Sequence, residues 1–98
     1  MSIIHTVVFS LAHQPGSGEE AAFLQTARET LPGIPGVHEF TVRLQVSPFS
    51  SLRFQFSMVF DDQVAYSAYN THPAHIDFVE NRWKPEVTEF QEYDFVDA

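Results

Sequence analysis

Two segments near the middle of the chain alternate apolar and polar residues so regularly that each is typical of a β-strand. Between Val37 and Val46 every second residue belongs to one set: His38, Phe40, Val42, Leu44 and Val46. A similar alternation runs from Leu52 to Phe60. A two-residue period places alternate side chains on opposite faces of a strand. Because only the short loop SPFSS separates the segments, the sequence predicts an antiparallel pair in one sheet, in which the first strand has one buried and one polar face.

The first third of the chain predicts a strand followed by a helix. Ile3–Leu11 is rich in β-formers and apolar on both faces, as expected for a strand that is covered on both sides. Ser17 and Glu20 stand at capping-box spacing, so a helix begins there and runs to about Leu31. The loop LPGIPGV, residues 31–37, then breaks the chain twice before the second strand.

The last third predicts two helical segments and a final strand. Asp61 or Asp62 offers an N-cap for a helix that ends before Pro73. His72-Pro73 starts a second helix, which Pro85 interrupts, because proline is favoured in a first turn and disfavoured in a helix interior. A short turn precedes the last strand, residues 90–96.

The resulting order, β-α-β-β-α-β, predicts an α+β, ferredoxin-like fold with a four-stranded antiparallel sheet and both helical segments on one face. Without repeats or linkers, residues 1–98 form a single domain. The other face of the sheet has no cover in one chain. We therefore expect a homodimer through the sheet faces, closing a dimeric α+β barrel.

Composition excludes several classes of function. Thirteen Asp and Glu against five Lys and Arg give a formal charge of −8, which argues against nucleic acid or an anionic membrane as partner. The absence of cysteine excludes disulfides, a thiolate nucleophile and zinc-thiolate sites. The apolar N-terminal run lacks a basic start and is too short to span a bilayer, so the sequence predicts a cytoplasmic protein.

The segment YNTHPAH, residues 69–75, carries the candidate chemistry. His75 falls in the first turn of the predicted helix, where the helix dipole favours a neutral imidazole that can act as a base near pH 7. Tyr69 ends the preceding helix, and its hydroxyl could polarise a carbonyl in the same cleft. We therefore take His75 and Tyr69 as candidate catalytic residues.

Three further residues are candidates for binding: His5, His72 and Asp94. His5 could point up from the central strand, and Asp94 could orient a histidine. Each candidate also has a structural interpretation: a helix cap for His72, core packing for Tyr69 and His5, a backbone-bonded ring for His75, and an outward-facing carboxylate for Asp94. A metal site at His72 and His75 with His5 is a further alternative, but proline geometry should separate the pair, and we predict none.

Four stretches resemble the stress-responsive A/B barrel (Dabb) family over nearly the whole chain: IIHTVVFSL, GIPGV, AYNTHPAHIDFV and the closing aromatic-Asp-Phe strand. The resemblance implies a ferredoxin-like protomer in a dimeric α+β barrel. A plant polyketide cyclase of this family uses the second histidine of the motif with the tyrosine. By position these are His75 and Tyr69, with His5, His72 and Asp94 as supporting polar residues.

The sequence departs from that cyclase at Phe54, where the cyclase has a histidine, so its polar lining is incomplete here. The family also suggests carbonyls of residues 31–37 as weak ligands of magnesium.

Three functions remain open at this point. The first is an acid-base enzyme without an organic cofactor, of lyase, cyclase or isomerase type, acting on a small apolar oxygenated molecule. The second is a non-catalytic dimeric binding protein or accessory stress protein. The third is a cofactor-free monooxygenase of the related dimeric barrel type. A cavity that holds His75 and Tyr69 together would favour the first, whereas a filled interior would favour the second.

Overall fold

The computed structural model describes all residues, 1–98, and has the predicted ferredoxin-like fold. Its four strands form one antiparallel sheet in the order β2-β3-β1-β4. A 3-10 turn at Leu31–Gly33 follows the first helix, and a π-helical segment at Val79–Trp83 joins the third helix to the fourth. The strands and helices are β1 (Ile3–Leu11), α1 (Gly18–Thr30), β2 (His38–Leu44), β3 (Phe54–Phe60), α2 (Gln63–Thr71), α3 (Pro73–Phe78), α4 (Lys84–Glu86) and β4 (Val87–Phe95).

An aromatic core fills the space between the sheet and the helices. Phe9 of β1 lies at its centre, with its ring centroid 4.6 Å from that of Phe56 on β3 and 4.9 Å from that of Trp83. Phe23 of α1 packs from the helical side, 5.9 Å from Phe9. Each buried phenylalanine contributes roughly 2–3 kcal/mol relative to an exposed one. This core fixes the position of the helical layer over β1 and β3.

The opposite face of the sheet, which we call the open face, carries no helix. The cross-strand register places Ile4, Tyr93 and Phe95 on it, opposite in direction to the core residues of the same strands. Their side chains are 41%, 47% and 50% exposed. The expectation that β1 is covered on both sides is therefore wrong for the single chain, because all helices pack on one face.

β2 departs from strict alternation at a β-bulge. His38 pairs with Val59 and Thr41 with Ser57, so two residues of β2, Glu39 and Phe40, match the single residue Met58 of β3, and Glu39 adopts a positive φ of 51°. The extra residue moves His38 to the open face, while Phe40 packs against the core. The prediction that His38 and Phe40 share a face is therefore wrong.

Glu20 ties α1 to the sheet. The predicted cap is present, because the backbone N–H of Glu20 donates to Ser17 Oγ at 3.2 Å. The Glu20 carboxylate accepts from the Gly16 N–H at 2.9 Å and from Arg53 Nε at 2.9 Å, and the residue is only 6% exposed. The hydrogen bond from Arg53 holds the pKa of Glu20 below its ordinary value against the effect of burial.

The helices after β3 confirm the predicted helix start at His72-Pro73 but not the predicted interruption at Pro85. His72 ends α2 and caps α3, as Pro73 implied. Pro85 does not interrupt the helical segment as predicted: the Lys84 N–H donates to the Val79 carbonyl five residues back, and Pro85 lies in the first turn of α4, where its missing N–H is not needed. The helical segment ends one residue later, at Glu86. The last strand accordingly begins at Val87 rather than Phe90. None of the helices has the length and apolar character to cross a bilayer.

Candidate functional site

A cavity of about 370 Å³ lies between the sheet and the segment from α2 to α4. Nine of its fourteen lining residues are hydrophobic. Phe90 and Glu92 of the edge strand β4 border it and are exposed, so the cavity opens to solvent at this edge. The other five lining residues are His5, Asn70, His75, Lys84 and Glu92, and Tyr69, counted among the hydrophobic residues, also carries a hydroxyl.

His75 projects into the cavity from the first turn of α3. Its Nδ1 lies 3.2 Å from the carbonyl oxygen of Asn70. A carbonyl only accepts hydrogen bonds, so Nδ1 carries the proton, and the neutral ring keeps its lone pair on Nε2. Burial lowers the pKa of His75 below its ordinary value, and the nearby His5 acts in the same direction. The predicted neutral ring therefore has burial as its main cause, rather than the helix dipole.

Tyr69 packs directly against His75 from the last turn of α2. The two ring centroids are 4.4 Å apart, and Tyr69 is only 3% exposed. Its hydroxyl has no hydrogen-bond partner in the protein. Every completely buried side-chain nitrogen or oxygen in the structure does have a partner, so this hydroxyl is not completely buried. The hydroxyl therefore keeps some accessible surface, and Tyr69 lines the cavity, where a ligand could accept its hydrogen. Burial raises the pKa of Tyr69, so the phenol stays protonated and remains a donor.

A second imidazole forms part of the cavity floor. His5 Nδ1 lies 2.6 Å from Asp94 Oδ1 and 2.9 Å from the Tyr66 hydroxyl, which itself donates to Asp94 at 3.0 and 3.1 Å. The carboxylate can only accept, so His5 Nδ1 carries a proton and Nε2 is free on the cavity side. Burial and the Asp94 carboxylate raise the pKa of Tyr66. This network fixes the orientation of His5.

The structure thus brings together three of the five candidate residues, His75, Tyr69 and His5, around one cavity. Asp94 lies behind His5 and does not line the cavity. His72 lies outside it: its Nδ1 accepts the Ala74 N–H at 3.1 Å, which is the helix-cap arrangement and leaves that nitrogen unable to bind a metal with His75. No group of three or more His, Asp or Glu side chains is placed to hold a metal ion.

The loop of residues 31–37 uses its carbonyls within the chain. The Leu31 oxygen accepts the Ile34 N–H, and the Ile34 oxygen accepts the Val37 N–H, both at 3.2 Å. Two of the carbonyls suggested as ligands of magnesium are therefore already engaged.

Four polar residues of the site were missed from the sequence: Tyr66, Asn70, Lys84 and Glu92. A signal existed for Tyr66, which stands three residues before Tyr69 and so on the same side of the predicted helix. For Glu92 the signal was its position in the last strand, two residues from Asp94. Phe54, at the position where the plant cyclase has a histidine, is buried in the core and does not line the cavity.

Comparison with known proteins establishes the family. The sequence model of one protein family, the stress responsive A/B barrel domain, matches residues 3–97. The chain belongs to this family. A Dabb-family protein with a ferredoxin-like fold from Mesorhizobium loti has 48% sequence identity and a TM-score of 0.98, with 99% of this chain and 97% of that chain covered. The Dabb resemblance inferred from the four sequence stretches is thus confirmed.

Two distant solved structures share the fold at lower identity. A hydroxynitrile lyase from Passiflora edulis is 10% identical, with a TM-score of 0.84 and coverage of 99% of this chain and 94% of that one. A dimeric ferredoxin-like protein of unknown function from Thermobifida fusca is 15% identical, with a TM-score of 0.81 and coverage of 98% and 91%. No protein with curated function matches this Dabb chain.

Proposed function

We propose that the cavity binds a small, apolar, oxygenated molecule and that His75 and Tyr69 carry out proton transfer on it without an organic cofactor. The observation that carries this proposal is the arrangement of two rings. His75 Nδ1 is tied to the Asn70 carbonyl, His75 Nε2 is left as a base, and the Tyr69 ring, whose hydroxyl has no protein partner, packs against the same imidazole. A neutral base next to a protonated phenol in an apolar cavity suits enolate chemistry.

The proposed step moves one proton. His75 Nε2 takes a hydrogen from the carbon next to a ligand carbonyl, and the electron pair of that C–H bond moves into an enolate. The Tyr69 hydroxyl donates a hydrogen bond to the enolate oxygen, and its raised pKa keeps it from losing its own proton. Return of the proton to another atom, or attack of the enolate on a second carbonyl, would make the reaction an isomerisation or a cyclisation.

His5 and Asp94 support binding in this proposal. His5 lines the cavity, and its Nε2, which has no partner in the chain, could accept a hydrogen bond from a hydroxyl of the ligand. Asp94 and Tyr66 hold the ring in that orientation through His5 Nδ1. The second end of the ligand would rest on the aromatic side chains of Trp83 and Phe90, which meet edge to face at 5.7 Å.

A binding protein without catalysis is the second candidate, and the packing of His75 favours it. The ring packs against Tyr69 in a tilted arrangement, with an interplanar angle of 50° and no hydrogen bond between the two side chains, as a purely structural pair would. Both candidates require the cavity to accept a ligand. They differ only in whether the bound molecule loses a proton to His75.

A ligand screen tests the shared requirement. Small phenolic and polyketide-like molecules are tested by thermal shift, and each hit is titrated while the imidazole resonances of His75 and His5 are followed by NMR. We expect hits that shift both histidines and leave His38, on the open face, unchanged. Hits that move neither cavity histidine, or no hits at all, would contradict binding in the cavity.

We also propose that the protein is a homodimer that associates through its open faces. Ile4, Tyr93 and Phe95 lie there with about half of their surface exposed, and burying aromatic surface is favourable by roughly 25 cal/mol per Å². The dimeric relative from Thermobifida fusca shares the fold, which supports this arrangement. The cavity lies on the opposite side of the sheet, so each chain would keep its own site.

A further inference from the structure

Glu92 is the only carboxylate among the lining residues of the cavity, and it has no partner. Its side chain makes no hydrogen bond and no ion pair in the structure. It shares the helical face of the sheet with Val7, with which it is paired across the strands. Association through the open face would therefore leave it uncovered. The carboxylate stands where β4 borders the opening of the cavity.

The one basic lining residue does not offset this charge. Lys84 Nζ is engaged by Glu80 Oε1 at 2.5 Å, so that pair is close to neutral. His5 lies 2.6 Å from the Asp94 carboxylate, so that pair adds no net positive charge, and burial lowers the pKa of His75, which favours its uncharged form. The whole chain carries a formal charge of −8, so nothing in the surroundings reverses the sign.

Five aromatic residues make up much of the remaining lining: Phe56, Tyr69, Phe78, Trp83 and Phe90. Aromatic faces carry negative potential and attract cations, while a carboxylate ligand entering an apolar cavity must lose its hydration without a cationic partner. Both effects, like the negative charge of Glu92, favour cationic over anionic ligands.

We propose that Glu92 sets the charge preference of the cavity, so that it takes aromatic ligands that are uncharged or carry an ammonium group and excludes carboxylates. This inference depends on the proposed function only in that the cavity must accept a small molecule. A carboxylate on an edge strand also discourages strand addition. That role, however, is met equally by Glu89, which lies on β4 on the open face and makes no side-chain contact with the cavity.

Three probes of one shape test the inference: 2-naphthylmethanol, 2-naphthylmethylamine and 2-naphthoate, titrated at pH 7.5 and low salt with the His75 and His5 resonances as reporters. In the unmodified protein the alcohol and the amine should bind, and 2-naphthoate should bind at least about tenfold more weakly than the alcohol. Glu92→Gln should bring the anion to within about threefold of the alcohol, since the repulsive charge is gone. Glu89→Gln makes the same change of net charge on the same strand and should leave the ratio unaltered.

The outcomes separate this inference from the function on which it depends. If 2-naphthoate binds the unmodified protein as well as the alcohol does, or if Glu89→Gln changes the ratio as much as Glu92→Gln, the role of Glu92 is overturned while ligand binding in the cavity stands. If none of the three probes shifts the cavity histidines, the cavity proposal itself is contradicted and this inference falls with it.

Discussion

At the scale of single residues, two tyrosines on α2 differ in what their hydroxyls contact. The Tyr66 hydroxyl bonds to Asp94 and His5, whereas the Tyr69 hydroxyl has no protein partner. Tyr66→Phe should therefore lower the free energy of unfolding by roughly 1–2 kcal/mol, and Tyr69→Phe by less than about 0.5 kcal/mol. Urea denaturation of both variants measures this. A larger loss for Tyr69→Phe would mean that its hydroxyl serves the fold rather than a ligand.

The titration of His75 belongs to the same scale. Burial lowers the pKa of His75, so the unfolded chain takes up a proton at this residue at higher pH than the folded chain does. The contribution of His75 to stability is therefore complete above the ordinary histidine pKa of about 6.5 and is lost as the pH falls below it. NMR titration of the ring should give a midpoint below about 6.5. A midpoint at or above that value would contradict the buried neutral base.

At the scale of elements, the link between α1 and β3 depends on one buried carboxylate. Glu20→Gln would leave the Arg53 guanidinium without its charged acceptor, and we expect a loss of roughly 1–3 kcal/mol in the free energy of unfolding. Glu19→Gln removes the same charge at an exposed neighbouring position and should change stability by no more than about 0.5 kcal/mol. The difference in the free energy of unfolding between the unmodified protein and Glu20→Gln should shrink as the pH falls below the ordinary glutamate range. Because the pKa of Glu20 is lowered in the folded chain, the stability that its carboxylate contributes is lost on protonation at low pH. Equal losses in both variants would show that Arg53 is indifferent to its partner.

The elements also show which parts of the molecule the sequence could predict. Period-two patterns predicted β2 and β3, a run of β-formers that is apolar on both faces predicted β1, and the caps at Ser17 and His72 predicted where two helices begin, because these signals are local. The bulge at Glu39 and the continuation of the helix through Pro85 were missed, since both depend on how the chain pairs or packs with distant segments.

The candidate site was likewise predicted only where its residues are close in sequence. The YNTHPAH motif indicated His75 and Tyr69, but the contact of Tyr66 with Asp94 joins residues 28 positions apart and left no local pattern.

At the scale of the whole molecule, the open face should determine assembly. Sedimentation velocity is expected to give twice the mass of one chain, and Ile4→Glu, which puts a charge on the open face, should give single chains. Phe49→Glu is the matched control, because Phe49 is 98% exposed in the loop between β2 and β3, outside the strands that form that face. A single-chain species for the unmodified protein, or dissociation by Phe49→Glu alone, would contradict association through the open face.

Proton exchange on a bound ketone tests most directly whether His75 acts as a base in the cavity. A methyl ketone that shifts the cavity histidines is incubated with the protein in D₂O, and loss of its α-hydrogen signal is followed by ¹H NMR. The unmodified protein should exchange these hydrogens at least about a hundredfold faster than His75→Ala, while His38→Ala should match the unmodified protein. Exchange at the same rate in the unmodified protein, in His75→Ala and in buffer alone would contradict a catalytic base in this cavity.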